Sequence, residues 1–169
     1  MTSSEYLSSV ILTGSIFGFS VGSALAEIEV DIPLRYIEEV TDDGAESLLR
    51  RDYGFFEVTC AGGPDWRCRW ISIEIHRLAS SPEVIAAAVE ALGVEFAPYI
   101  PWSEVHEDYL RNEIAPALDL KSPEGYRVFR NTSTGVSVHV VDDLNEGRGE
   151  LPGNGDIWSM DIMSPEFMR

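Results

Sequence analysis

Apolar and polar residues alternate with a period of two over several stretches of this chain, and those stretches define its strands. Phe56, Val58 and Cys60 alternate with Glu57 and Thr59, as in a strand with one buried face. Arg69 to Arg77 repeats the pattern, with Ile71, Ile73 and Ile75 on one side and Trp70, Ser72, Glu74 and His76 on the other. Gly62-Gly63-Pro64-Asp65 between them is turn chemistry, so the pair predicts a hairpin. The same grammar returns at Tyr126 to Phe129, at Gly135 to Val140 and, after a long polar loop, at Ile157 to Met163. In the last segment Trp158, Met160 and Ile162 are expected to point inward, one residue out of phase with Ile71, Ile73 and Ile75.

Helical spacing appears between and before these strands. Ser81-Pro82-Glu83 combines an N-cap, a proline in the first turn and an acid near the positive end of the helix dipole, and Gly93 ends the run. Ile85, Ala88, Val89 and Leu92 share one face of that helix. A second helix is expected from near Ser103 to Ile114, with Val105, Tyr109 and Leu110 inward, and a shorter one from Ala24 to Val30, ended by Pro33. A helical segment before each group of strands predicts an α+β fold, with antiparallel sheet and helices packed on one face. The order also suggests two tandem helix-plus-strands repeats, about 15–80 and 81–169, within one domain.

Charge sharpens this picture. The chain has 169 residues, 29 acidic and 12 basic, for a formal net charge of -17, and Lys121 is its single lysine. Such a surface repels nucleic-acid phosphates and anionic membranes and steers basic proteins toward it. The acids cluster: Glu27, Glu29, Asp31, Glu38, Glu39, Asp42, Asp43 and Glu46 face only Arg35 in one stretch, and Asp142, Asp143, Glu146, Glu150 and Asp156 face only Arg148 in another. Arg50-Arg51-Asp52 is expected to be an exposed, locally paired charge cluster.

Tyr6 to Ala26 is apolar and small, and Ala24-Leu25-Ala26 mimics a signal-peptidase site. The absence of Lys and Arg before it, Glu5, and the interruptions at Ser8, Ser9 and Thr13 argue against a signal peptide, and the stretch is too polar to span a membrane. A cytoplasmic location and two reduced thiols at Cys60 and Cys68 follow; the competing envelope reading would cleave at Ala26 and oxidise the pair.

Candidate chemistry is sparse. His76, His106 and His139 are too scattered for a metal or acid-base motif, no cofactor motif is present, and the Asp142 to Glu150 loop puts Leu144 and Gly153 where a calcium hand needs oxygens. The strand phases place His76, His139, Trp70, Glu57, Glu74 and Asp161 on the face away from the helices, with Ser137 and Ser159. Aromatic and charged groups together suit protein recognition. The rival is a small hydrolase or transferase in which His76 or His139 works with Glu57, Glu74 or Asp161.

Leu48 to Glu57, followed by Ile71 to Leu78, resembles a pattern in small bacterial immunity-type proteins that accompany polymorphic toxins. The resemblance implies a dedicated inhibitor that binds its cognate toxin, and an acidic inhibitor suits a basic toxin. The partner-binding residues are then expected to be Trp70, Glu74, His76, Glu57, His139 and Asp161, with Glu38, Glu39, Asp42 and Asp43 steering the encounter.

Overall fold

The computed structural model describes the chain apart from residues 33, 43, 45, 111–116, 120–121 and 165–169, and apart from the side chains of 29–31, 108–110, 117 and 119. In chain order the elements are α1 (Ser3–Thr13), β1 (Ser15–Ile16), β2 (Phe19–Ser20), α2 (Leu25–Asp31), β3 (Ile37–Asp42), β4 (Ser47–Asp52), β5 (Phe56–Ala61), β6 (Arg67–Ile73), α3 (His76–Ser80), α4 (Pro82–Leu92), α5 (Trp102–Leu110), β7 (Ala117–Asp119), β8 (Tyr126–Asn131), β9 (Val136–Val141) and β10 (Ile157–Met163). The fold is α+β. Eight strands form one antiparallel sheet in the order β3-β4-β5-β6-β10-β9-β8-β7, beside the small β1-β2 hairpin. Each half supplies a four-stranded meander, and the two meet edge to edge where β6 pairs with β10, Met160 opposite Ile73 and Ile162 opposite Ile71.

One hydrophobic core runs along the face that holds Phe56, Val58, Cys60, Ile71, Ile73, Val136, Val138, Val140, Met160 and Ile162. The helices close it with Leu7, Val10 and Ile11 of α1, Ile28 of α2, Leu78 of α3, Ala88 of α4 and Val105 of α5. The apolar N-terminal stretch is thus core, including Ile16 and Phe19 of the small hairpin. Thr2 and Glu5 cap α1 reciprocally, and Ser81 caps α4 through the Val84 amide. Gly14 ends α1 with φ +63°, where a Cβ would stand 2.5 Å from the Thr134 carbonyl oxygen, so only glycine lets the helix end seat on the β8–β9 turn. Ser8 donates to the Val105 carbonyl and Asn131 to the Ile11 carbonyl, which ties α1 to α5 and to β8. No helix among the described residues is long and apolar enough to cross a membrane.

Several expectations change. The second core strand ends at Ile73, because Ile75 turns into the αR region and His76 opens α3, although Ile75 stays fully buried. The α5 helix starts at Trp102 and is described to Leu110; Ile114 lies outside the described residues, as do the side chains of Tyr109 and Leu110. Arg51 is 5% exposed rather than on the surface: it lies over the Tyr36 ring at 4.3 Å and binds Glu38 at 2.8 Å, so its charge is matched at the sheet margin. Two strands had no clear alternation in sequence, β3 and β4; β3 is an edge strand exposed throughout.

The largest change is at Trp158. Ile157 pairs with Val140 and Ser159 with His139, so Trp158 is the extra residue of a β-bulge. Its side chain is half-buried away from the core, and Ile157 takes the inward place. An equivalent bulge lies on β6, where Cys68 pairs with Cys60 and Trp70 with Thr59, leaving Arg69 as the extra residue. Aligned on the bulges, buried Cys68, Ile71 and Ile73 match buried Ile157, Met160 and Ile162, and the one-residue slip in phase disappears.

Cys60 and Cys68 face each other across that pair, both buried as free thiols. Cys68 donates to the Trp70 carbonyl at 3.8 Å; the neighbouring Cys68 thiol holds Cys60 below its usual pKa against the effect of burial, and Cys60 together with burial pushes Cys68 up.

Candidate functional site

The face opposite the helices carries a polar network built row by row from cross-strand neighbours. Asp52, Glu57, Ser72, Asp161 and Ser137 stand abreast on β4, β5, β6, β10 and β9. Thr59 and Trp70 flank that row on one side, His139 and Ser159 on the other.

Asp161 is the hub. One carboxylate oxygen accepts the Trp70 indole N–H at 3.0 Å and the other lies 3.0 Å from His139 Nε2. The bond from the indole N–H to a carboxylate fixes the Trp70 ring, and the His139 imidazole sits in contact with the other oxygen. Trp70 stays 44% exposed despite being pinned, so neither a helix nor the N-terminal segment covers it. Toward β8 the face closes, and Val128, Ser137 and Val141 are buried, so solvent reaches this face only in part.

Glu57 anchors a second cluster. Arg77 at the start of α3 binds Glu57 at 2.6 Å, Asp52 at 2.9 Å and the Gly54 carbonyl at 3.0 Å. Arg50 bridges Glu57 at 3.2 Å and Glu39 at 3.4 Å. Burial would lower the Arg77 pKa, but the Glu57 hydrogen bond and the Asp52 charge outweigh it and raise it.

His76 reaches the same face from α3. Its ring stacks on Trp158 at 4.5 Å and 4° between planes, with Glu74 3.5 Å from Nδ1, too long for a good hydrogen bond. Burial depresses the His76 pKa below its ordinary 6.5, opposed by Glu74 and assisted by Arg77. A depressed native pKa means that the unfolded chain binds the proton more readily, so stability is full above about pH 6.5 and falls as pH drops through the native value. Urea unfolding of wild type and His76→Phe at pH 7.5 and 5.5 checks this: the wild type is expected to lose more stability on acidification, and equal losses would remove His76 from the pH response.

The residues singled out from sequence therefore separate. Trp70, Asp161 and His139 form one contact group, Glu57 joins Arg77, Asp52 and Arg50, and Glu74 with His76 sits against Trp158. The first acidic stretch is partly neutralised, Glu38 by Arg51, Glu39 by Arg50 and Glu46 by Arg69, while Asp42 caps the Gly44 amide and Asp43 lies outside the described residues. In the second stretch Asp142 pairs with Arg127, whereas Asp143, Glu146 and Glu150 have no ion-pair partner among the described residues. Alternation alone missed Arg77 and Trp158, because a helix start and a bulge carry them.

Chemically, the face offers a fixed indole and fixed ion pairs. His139 Nε2 and an Asp161 carboxylate oxygen come within 3.0 Å, but the clefts at Trp66 and at Trp158 are lined by neither residue. No group of three or more His, Cys, Asp or Glu among the described residues is placed to hold a metal ion. Comparison with protein-family models, curated proteins and solved structures finds no match to this chain.

Proposed function

We propose that this chain is a protein-binding module that neutralises a basic protein by direct contact, as an immunity protein does its toxin. The observation that carries the reading is Trp70, an exposed indole pinned by Asp161 on the polar sheet face of a chain with net charge -17. Trp is among the residues most enriched in binding hot spots, and a side chain already held in place loses little entropy when a partner covers it. The unpaired acids of the β9–β10 loop add long-range attraction for a cationic partner. The immunity-type pattern of Leu48 to Leu78 supports the same reading.

The experiment is capture of the partner from the native lysate at low and high salt, followed by association kinetics with the captured protein. A single basic partner is expected, with an association rate that falls as salt rises. Trp70→Ala is expected to weaken binding at least about tenfold. Reversal of Asp143, Glu146 and Glu150 to lysine is expected to slow association and flatten its salt dependence. Absence of a stoichiometric partner at either salt would sink the reading.

One observation favours a second reading, a small hydrolase or transferase: the 3.0 Å contact between His139 and Asp161. That reading needs a nucleophile or a substrate pocket within reach of the imidazole. It predicts that His139→Gln abolishes turnover, whereas a binding face predicts that Trp70→Ala is the more damaging change.

A further inference from the structure

The bulge at Trp158 builds a cleft of about 250 Å³ beside the β9–β10 loop. Trp158 and Tyr126 line it as two rings 5.8 Å apart at 68°, and Leu151 and Pro152 add apolar wall. Asp143 and Glu146 complete the lining, with no cation paired to either among the described residues. His76 stacks on Trp158, which sets the plane of the indole before any ligand arrives. We propose that this cleft binds an organic cation, the guanidinium or ammonium of an arginine or lysine side chain from a basic partner. The identity of the carrier rests on the reading of the chain as a binder of basic protein; the preference of the cleft for a cation does not.

An open face of an electron-rich ring attracts a cation through its quadrupole, most strongly when the cation is partly desolvated. The unpaired carboxylates add charge of the required sign and disfavour an anionic ligand. The loop is also preorganised. Buried Asp156 accepts two bonds from Arg148, at 2.8 and 2.6 Å, and one from the Gly153 amide at 3.0 Å. Tyr99 donates to the Gly149 carbonyl, with Arg148 over its ring. Gly153 approaches so closely that a Cβ there would lie 2.7 Å from the Arg148 nitrogen. A cleft wall held this way pays little ordering cost on binding.

The test is a titration of the intact protein with N-acetyl-arginine amide, N-acetyl-lysine amide and the neutral isostere N-acetyl-citrulline amide at constant ionic strength. The readout is the four indole N–H resonances, with Trp158 identified by Trp158→Phe. At least one cationic probe is expected to shift the Trp158 signal saturably in the millimolar range, and the citrulline probe to bind at least about tenfold more weakly. Glu146→Gln, at an exposed position, is expected to weaken the cationic probe about two- to fivefold. Equal binding of citrulline, unchanged binding by Glu146→Gln, or no saturable shift at Trp158 would overturn the proposal. Saturable cation binding without a captured partner would keep the cleft and remove the binder reading; a captured partner with no probe response would do the reverse.

Discussion

Phe56→Ala is expected to lower the free energy of unfolding by about 3–5 kcal/mol, the range for deleting a buried aromatic ring. Phe56 is fully buried where β5 meets the small N-terminal hairpin. Its ring stacks on Tyr53 at 4.6 Å and meets Phe17 at 5.4 Å and Phe19 at 6.3 Å. Truncation would leave a cavity bounded by three rings, two from the hairpin and one from Tyr53, and a main-chain bond from the Tyr53 amide to the Phe56 carbonyl limits how far β5 can relax into it. For a domain whose total stability is of order 5–15 kcal/mol, that is a large fraction. Urea unfolding followed by tryptophan fluorescence measures it, with Phe56→Leu as the milder comparison. A loss below about 1 kcal/mol would mean that the hairpin does not share the core.

The second large effect belongs to the polar face. Arg77→Met keeps the aliphatic stem but removes the cation shared by Asp52, Glu57 and the Gly54 carbonyl. Two partly buried carboxylates and a carbonyl would lose their shared donor, at a cost of roughly 2–3 kcal/mol, below the range for fully buried pairs because solvent still reaches the site. A double-mutant cycle with Glu57→Gln isolates the pair: the double variant is expected to be more stable than the sum of the single losses implies. Strict additivity would show that the 2.6 Å contact contributes nothing of its own. The same substitution tests whether α3, which carries His76, is held to the sheet face through Arg77.

Local pattern was sufficient for the elements whose neighbours are uniform along their length. The alternation in Phe56 to Cys60 and in Gly135 to Val140 matches β5 and β9, and Ser81, Pro82 and Gly93 bound α4 as their cap chemistry requires. The α+β class follows from those elements. Most of the outward set, Trp70, Glu57, His139 and Asp161, was legible too, because period two assigns a face without knowledge of the partner strand. The edge strand β3 was not legible, since a strand exposed on both faces has no alternation to report.

Strand faces, helix ends and the sign of the surface charge are local properties, each set by a residue and its chain neighbours. Contacts between distant segments set the rest. Trp70 and Asp161 are 91 positions apart, and only the β6–β10 pairing brings them to 3.0 Å. Burial of Arg51 depended on Tyr36 and Glu38 arriving from β3 and its approach. The outward turn of Trp158 depended on a bulge, which leaves apolar content unchanged while reversing the face of every residue before it. Register and pairing arise from packing summed over the whole sheet, which no short window of sequence contains.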